Sequence, residues 1–586
     1  MSFKKNMSQS FVTNNQMIFV TLPRHGNHHS GSESILIQLV YLILKIMRNF
    51  FSLKSTNCRS HFAFLPLLML FFITSGCTSL EASTNSGAEE VPREIARVTA
   101  PFPMPAMERP RFPDQTFDIR DFGAVERSDD SDELITDAIH SAIEAAHAAG
   151  GGKVLIPKGE WLTGPIHLMS NINLHLADGA TVYFSENRED YLPVVRQRHE
   201  GVEAYNYSPM IYAYKVKNVA VTGKGVLDGQ GQHWWDWFRE YGPPPRAIAT
   251  QVPLSRRDFG KGSGMEGMRP NFVVFWESEN ILVEGITLND GPMWNVHLIY
   301  SQNAIVRDVT VNSLNSPNGD GVVIDSSKDI LVEYNHFETG DDAVVLKSGL
   351  NEEGLEINIP TENVVVRNFT AVDVRTGSGG VVFGSETSGG IRNVYVHDAY
   401  FEGSDRGIRF KTERGRGNVT ENIYVRDVEM KNITYEAINF NTFYTGPQVV
   451  GPAPMIRNID IRNITIDGVP DAIVLIGLPE MWLENITLED ISVVNAGHGA
   501  RLTRVKNLSM KNVSIQSEDR AVTVEDVYEF KLENVTLSDE SGRAPLLFGG
   551  QHTGAVMTSD FPKDQVEYTD GLSTDIIREE IDVQAW

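Results

Sequence analysis

The 586 residues are 41% hydrophobic and 22% charged, which supplies a sizeable core and excludes a disordered chain. A formal net charge of −26 excludes nonspecific nucleic-acid binding. The two cysteines, Cys58 and Cys77, both fall in the leader, so the folded part has no disulfide framework.

Residues 1–77 read as that leader. Arg48, Lys54 and Arg59 precede an apolar run from Phe62 to Ile73, which ends in Thr74, Ser75, Gly76 and Cys77. The run is too short to span a bilayer and has the layout of a secretory signal, so residues 47–77 are expected to direct export. Small residues before a cysteine resemble a bacterial lipoprotein signal. Either Cys77 becomes the lipidated first residue of a chain held at a bacterial membrane, periplasmic or at the cell surface, or plain cleavage yields a secreted protein. Residues 1–46, with an apolar patch at Ile35–Ile46, read as an upstream extension ahead of a start at Met47. The Ser, Thr, Glu and Pro-rich stretch 78–110 reads as a linker, and 111–586 as one domain.

The first predicted element of the domain is an amphipathic helix. Leu134, Ile135, Ala138, Ile139, Ala142, Ile143 and Ala146 form an apolar stripe at helical spacing, begun through Asp130 and Ser131 and stopped by Gly150, Gly151 and Gly152. After it one phrase recurs, an Asn or Asp followed by alternating β-branched and polar residues. It starts at Asn218, Asn280, Asn303, Asp329, Asn363, Asn393, Asn422, Asn458, Asn485 and Asn507, most successive starts lying about 22 to 36 residues apart. Period-2 alternation marks strands with one buried face, and the spacing is too short for a βαβ unit in each repeat. The chain is therefore expected to be an all-β, right-handed parallel β-helix, with the helix closing its N-terminal end and the tail after about Gly549 covering the other. The recurrent Asn would stack at the bends with backbone partners for its side chain. A β-propeller would need four strands per blade and more even spacing.

Two loops carry acids that this repeat brings together. In "NSPNGDGVVID", Asn318 and Asp320 are two apart, so an extended segment would face both side chains one way. In "FETGDDAVVLKSG", Asp341 and Asp342 follow one coil later, which stacks the acids on one wall ~4.8 Å apart along the backbone. Like charges so close separate into acid and base roles. Each motif alone is ordinary turn chemistry; the one-coil spacing makes the pair a site. Calcium needs more oxygen ligands than these segments provide, so no metal or cofactor is expected. Farther on, Arg409 and Lys411 face one way on a strand, able to hold a sugar carboxylate or to neutralise the aspartates, and Arg414 and Arg416 could extend that patch. Tyr444 in "NTFYTG" is a further subsite candidate or a packing residue.

These segments, with "DIRDFGAV", "GGGKVLIPKGEWLTGPIHLMSNINLHL" and "RPNFVVFWESENILVEGITLNDGPMWNVH", resemble glycoside hydrolase family 28, the polygalacturonases and related pectin hydrolases, over nearly all of 115–545. The resemblance implies metal-independent, inverting hydrolysis of an acidic plant polysaccharide; the chain is expected to act as a monomer. It makes Asp341 the general acid, Asp320 and Asp342 the groups that activate water, Arg409 and Lys411 the carboxylate binders, and Asn318 a positioning residue. Inversion fits carboxyl groups ~6.5–9.5 Å apart. The chain departs from the family at Gly377, Ser378 and Gly379, where the family has Gly-His-Gly; the departure favours a related specificity, such as rhamnogalacturonan or a modified galacturonan end, and a changed pH profile. A long loop from "GQHWWDWFREYGPPP" to "GKGSGMEGMRP" could close the cleft for exo action, its Trp234, Trp235 and Trp237 either stacking on sugars or anchoring the loop. Two other classes fit the same residues: a calcium-dependent polysaccharide lyase, and a carbohydrate-binding β-helix without catalysis.

Overall fold

The computed structural model describes residues 12–13, 16–17, 91–128, 133–241, 252–258, 268–375, 377–558 and 561–579. The chain divides into two compact units, Met1–Ala88 and Glu89–Trp586. Of the first, an antiparallel pair of strands, Val12–Thr13 and Gln16–Met17, is described. The export signal, Cys77 and linker residues 78–90 lie outside the described residues.

The second unit is a parallel β-helix. The repeated phrase forms one of its sheets: Glu279–Glu284, Gln302–Arg307, Lys328–Glu333, Thr361–Val372, Ile391–Glu402, Val419–Lys431 and Met455–Ile476 pair in parallel, each with the strand one coil on. In-register Ile281, Ala304, Ile330, Val364, Val394, Ile423, Ile459 and Ile486 point inward and are at most 1% exposed, the burial that drives the stack. A second sheet runs through Val273–Trp276, Val296–Ile299, Val322–Asp325, Val344–Lys347, Gly379–Gly384, Arg406–Lys411 and Glu436–Asn441. This is the sheet that carries the site.

The bends explain the recurrent Asn, though not with the expected partners. Asn280, Asn303, Asp329, Asn363, Asn393, Asn422, Asn458, Asn485 and Asn507 all sit in the left-handed region at φ 54–58°, which Asn and Asp tolerate better than other non-glycine residues. Their side chains bond to one another rather than to backbone. The Asn422 amide donates to Asn393, Asn458 to Asn422, Asn485 to Asn458 and Asn507 to Asn485, at 2.8–3.3 Å.

Three other expectations meet the structure. The apolar stripe forms a helix, Thr136–Ala148, whose buried Ile139, Ala142, Ile143 and Ala146 join the core beside Val154 and Ile172; Asp130 and Ser131 lie outside the described residues. Residues 91–110, assigned to the linker, instead lie along the first sheet. Phe102 and Met107 are buried with Ala220, Leu282, Ile305, Leu331 and Val365, an outward-facing apolar ladder on that sheet. Arg307 and Arg367 hold the strap by donating to the carbonyls of Pro92 and Ala96 at 2.9 and 3.0 Å. Apolar residues at irregular spacing among prolines concealed this packing. The tail after Gly549 does not leave the repeat: Gly554–Thr558, Val566–Tyr568 and Ile577–Glu579 continue it in parallel.

Candidate active site

Register assembles the site. Val322 pairs with Val344, Val344 with Val381 and Val381 with Ile408. Asp320 therefore lies in the coil beside Asp342, with the Gly321 N–H donating to the Asp342 carbonyl at 2.9 Å, and Asp341 lies beside Ser378. One carboxylate oxygen from each of Asp320, Asp341 and Asp342 falls within 4.8 Å of the others. Asp320 and Asp342 are 2% and 0% exposed. Asp341 is half-buried.

Each acid has a different neighbour. Lys411 Nζ donates to Asp342 Oδ2 at 2.6 Å, a buried ion pair. Asp341 Oδ1 accepts from the Asp342 N–H at 2.9 Å and from Ser378 Oγ at 2.8 Å. The nearest cation to Asp320 is Lys347, whose Nζ is 3.9 Å from Oδ2 while bonded to Glu386 at 2.8 Å. Burial pushes Asp341 above the ordinary carboxylate range, with the charge of Asp342 adding to it and Lys411 and Ser378 opposing. Burial pushes Asp320 well above that range too, and the charge of Asp341 is its next cause. That second contribution disappears once Asp341 holds a proton, so the pair shares protons rather than titrating independently. For Lys347 burial disfavours the ammonium, but Glu386, Asp320 and Asp342 outweigh it and hold the group charged.

A cation bridging the three carboxylates would compete with the ammonium groups of Lys411 and Lys347, which already supply positive charge there. The carboxylate oxygens are closer than the ~6.5–9.5 Å separation of typical inverting glycosidases. Spacing therefore does not carry the expected inversion.

Of the other expected residues, Arg409, Lys411 and Tyr444 come together: the Arg409 and Lys411 cations lie 5.6 and 5.7 Å from the Tyr444 ring centre. Arg409 also donates to the Gly377 carbonyl, while its buried Nε has no protein partner. Lys411 thus does what the neutralising alternative required, and Arg409 keeps a donor for a ligand. Asn318 does not share an extended segment with Asp320. It sits at φ 52° in a turn, and its side-chain oxygen accepts from buried Arg269 at 2.8 Å. Trp234, Trp235 and Trp237 are at most 7% exposed on the helix Gln232–Tyr241, Trp234 packing edge-on against Tyr191 and Tyr207. They anchor the segment and are not free for sugars. Arg414 pairs with Glu480 and Arg416 with Glu413, and Arg416 also donates to the Ser385 carbonyl.

The sequence reading missed Lys347, Glu386, Trp294, His297, Asp325 and Arg198. Lys347, 4.9 Å from the Trp294 ring centre, was legible as a lone cation ending the apolar run of "AVVLK". Gly384, φ 112°, separates Lys347 from Lys411 in the column, and a Cβ there would stand 2.0 Å from the Lys411 carbonyl oxygen, so only glycine fits. Nothing signalled Arg198. It comes from an antiparallel hairpin, Val195–His199 with Val202–Asn206, and donates to Asp325 and Ser326 at 2.9 Å with both ionic side chains 0% exposed. The hairpin lies along the site-bearing sheet over several coils: Val195 packs against Tyr212, Val274, Trp276 and Ile299, while Val202 packs with Leu350, whose N–H donates to the Gly201 carbonyl at 3.2 Å, on the coil that carries Asp341. Arg196 stacks on Trp276 at 5.3 Å.

A parallel β-helix that sets interacting carboxyls beside buried cations on one sheet defines a class, the solenoid enzymes and binders of acidic polysaccharide. Comparison with known proteins narrows it. Residues 259–515 match the model of glycosyl hydrolases family 28. A probable polygalacturonase of Vitis vinifera is 30% identical over 64% of this chain and 73% of its own length. An exo-poly-α-D-galacturonosidase of Dickeya chrysanthemi is 26% identical over 58% and 60%. The crystal structure of a hyperthermoactive exopolygalacturonase from Thermotoga maritima is 36% identical, with a TM-score of 0.64 over 70% of this chain and 93% of that one. The chain belongs to glycosyl hydrolases family 28.

Proposed function

We propose that the protein hydrolyses α-linked galacturonan, removing units from the chain end with inversion. The observation that carries this reading is the buried triad Asp320, Asp341 and Asp342, in which Asp342 is paired to Lys411 and Asp341 receives only neutral donors. Asp341, raised by burial, protonates the leaving oxygen. Asp342, with Asp320, takes the proton of the attacking water. Arg409, with a free buried Nε, and Lys411 bind the galacturonate carboxylate beside the scissile bond, and Tyr444 lines that subsite. Asn318 acts through Arg269 on the turn that presents Asp320. The hairpin pinned by Arg198 covers part of the site-bearing sheet beside the triad, which suits action at a chain end. The relatives named as exo-acting support the same mode, and the names they carry favour polygalacturonan over rhamnogalacturonan. Inversion rests on the family alone.

The test is product analysis on polygalacturonan and rhamnogalacturonan, with and without chelator. Saturated mono- or digalacturonate from polygalacturonan from the first time point, insensitive to chelator, is expected. Unsaturated, ultraviolet-absorbing, calcium-dependent products would mean a lyase. No release from either polymer would leave a binding protein.

We further propose export with lipid attachment at Cys77, supported by the pattern of residues 47–77. Radiolabelled fatty acid should enter the wild type and not Cys77→Ser. The enzyme is proposed to act as a monomer, and light scattering of the soluble chain should return one chain's mass, 65.2 kDa before processing.

A further inference from the structure

The two donors that reach Asp341 converge on one oxygen. The Asp342 N–H and Ser378 Oγ both bond to Oδ1, at 2.9 and 2.8 Å. An oxygen that already accepts two hydrogen bonds is a poor place for a proton. We propose that Ser378 is a positioning residue that reserves Oδ1 of Asp341 as an acceptor and so confines the transferable proton to Oδ2.

The fold holds Ser378 for this. It is 0% exposed and one coil beyond Asp341 in the register that pairs Val344 with Val381. The preceding residue is fixed on both sides: the Gly377 carbonyl accepts from Arg406 and Arg409, and its N–H donates to Asp405. Asp405 also accepts from Thr434 Oγ1. Ser378 thus stands at the end of a clamped turn whose second anchor, Arg409, is a carboxylate binder of the same site. A ligand that draws on Arg409 pulls on the turn that orients the acid.

The charged groups facing Asp341 are Asp320, Asp342, Lys347, Lys411 and Arg269; Ser378 adds a dipole without adding a charge. A hydroxyl that donates to the carboxylate favours its ionised form, so removing the hydroxyl makes Asp341 harder to ionise. The general acid must be protonated, and its ionisation sets the alkaline limb of the rate profile. Ser378→Ala should move that limb to higher pH. It should also lower kcat roughly tenfold with KM unchanged, since the lost bond orients the acid without holding substrate.

The inference rests on the hydrolase reading, so two readouts are used. The first is the pH profile of kcat on a galacturonate oligomer for the wild type, Ser378→Ala and Ser378→Thr. The expected result is an upward shift and a lower kcat in the alanine variant, with both restored by threonine. An unshifted limb overturns the proposal, whether kcat is unchanged or falls in both variants alongside thermal stability. The second is infrared titration of the free protein, following the carboxyl band that Asp341→Asn removes. That titration needs no substrate. If the wild type releases nothing from galacturonan the functional reading fails, and the proposal is still judged by whether the Asp341 band titrates at higher pH in Ser378→Ala.

Discussion

Asp320 shows what the site costs the fold. Its carboxyl is buried, the nearest ammonium is 3.9 Å away, and its affinity for a proton is raised well above that of an ordinary aspartate. A carboxyl whose folded-state pKa is raised is easy to bury when protonated and hard to bury when ionised, so its cost to stability is absent below the unfolded pKa of ~3.9 and grows as pH rises from there through the folded value. Asp320→Asn should therefore abolish turnover and raise stability near neutral pH by roughly 1–2 kcal/mol. The gain should vanish near pH 3, a comparison that denaturant melts at the two pH values make directly. The acids themselves were legible in the sequence because a one-coil spacing puts them on one wall. Lys347 left a trace as the lone cation of "AVVLK", but Arg198 left none, since no local pattern says that a cation will be buried against an acid from another coil.

The bends and the strap are elements with separable contributions. Asn422 adopts φ 56° and joins Asn393 to Asn458 through its side chain. Asn422→Ala loses both bonds and is strained in the left-handed region, and should destabilise by roughly 2 kcal/mol. Asn422→Gly keeps the conformation and loses only the bonds, so it should cost less, about 1 kcal/mol. Urea denaturation that ranks the two variants the other way would remove strain from this account. The strap lies on a different sheet from the triad. Phe102→Ala should lower stability by roughly 3 kcal/mol through lost packing on Leu282, Ile305 and Leu331 while leaving kcat unchanged; a kcat change at full folding would connect the strap to the site. Period-2 alternation revealed the sheets, and the repeated Asn their bends. The strap escaped because its prolines and irregular apolar residues have no period, only a partner ladder that exists once the coils are stacked.

At the scale of the molecule, a chain with net charge −26 acting on a polyanion must concentrate its cations where the substrate sits. The solenoid achieves this by register: Lys347 and Lys411 fall in one column of the site-bearing sheet, with Arg409 beside them. The Arg198 hairpin adds a further buried cation, paired with Asp325 on the coil that carries Asp320. This larger arrangement was only partly legible. The loop expected to close the cleft spans 231–270, of which residues 242–251 and 259–267 lie outside the described residues, and the hairpin 195–206, which had no signal, also lies on the site-bearing sheet.

The most direct test of the central claim follows the anomeric proton of the first product by NMR as the enzyme acts on an oligogalacturonide, with Asp341→Asn alongside. Inverting hydrolysis at the triad yields the β-anomer first, which mutarotates afterwards, with no product from the variant. An initial α-anomer, a vinyl proton of an unsaturated uronide, or undiminished turnover by Asp341→Asn would contradict it.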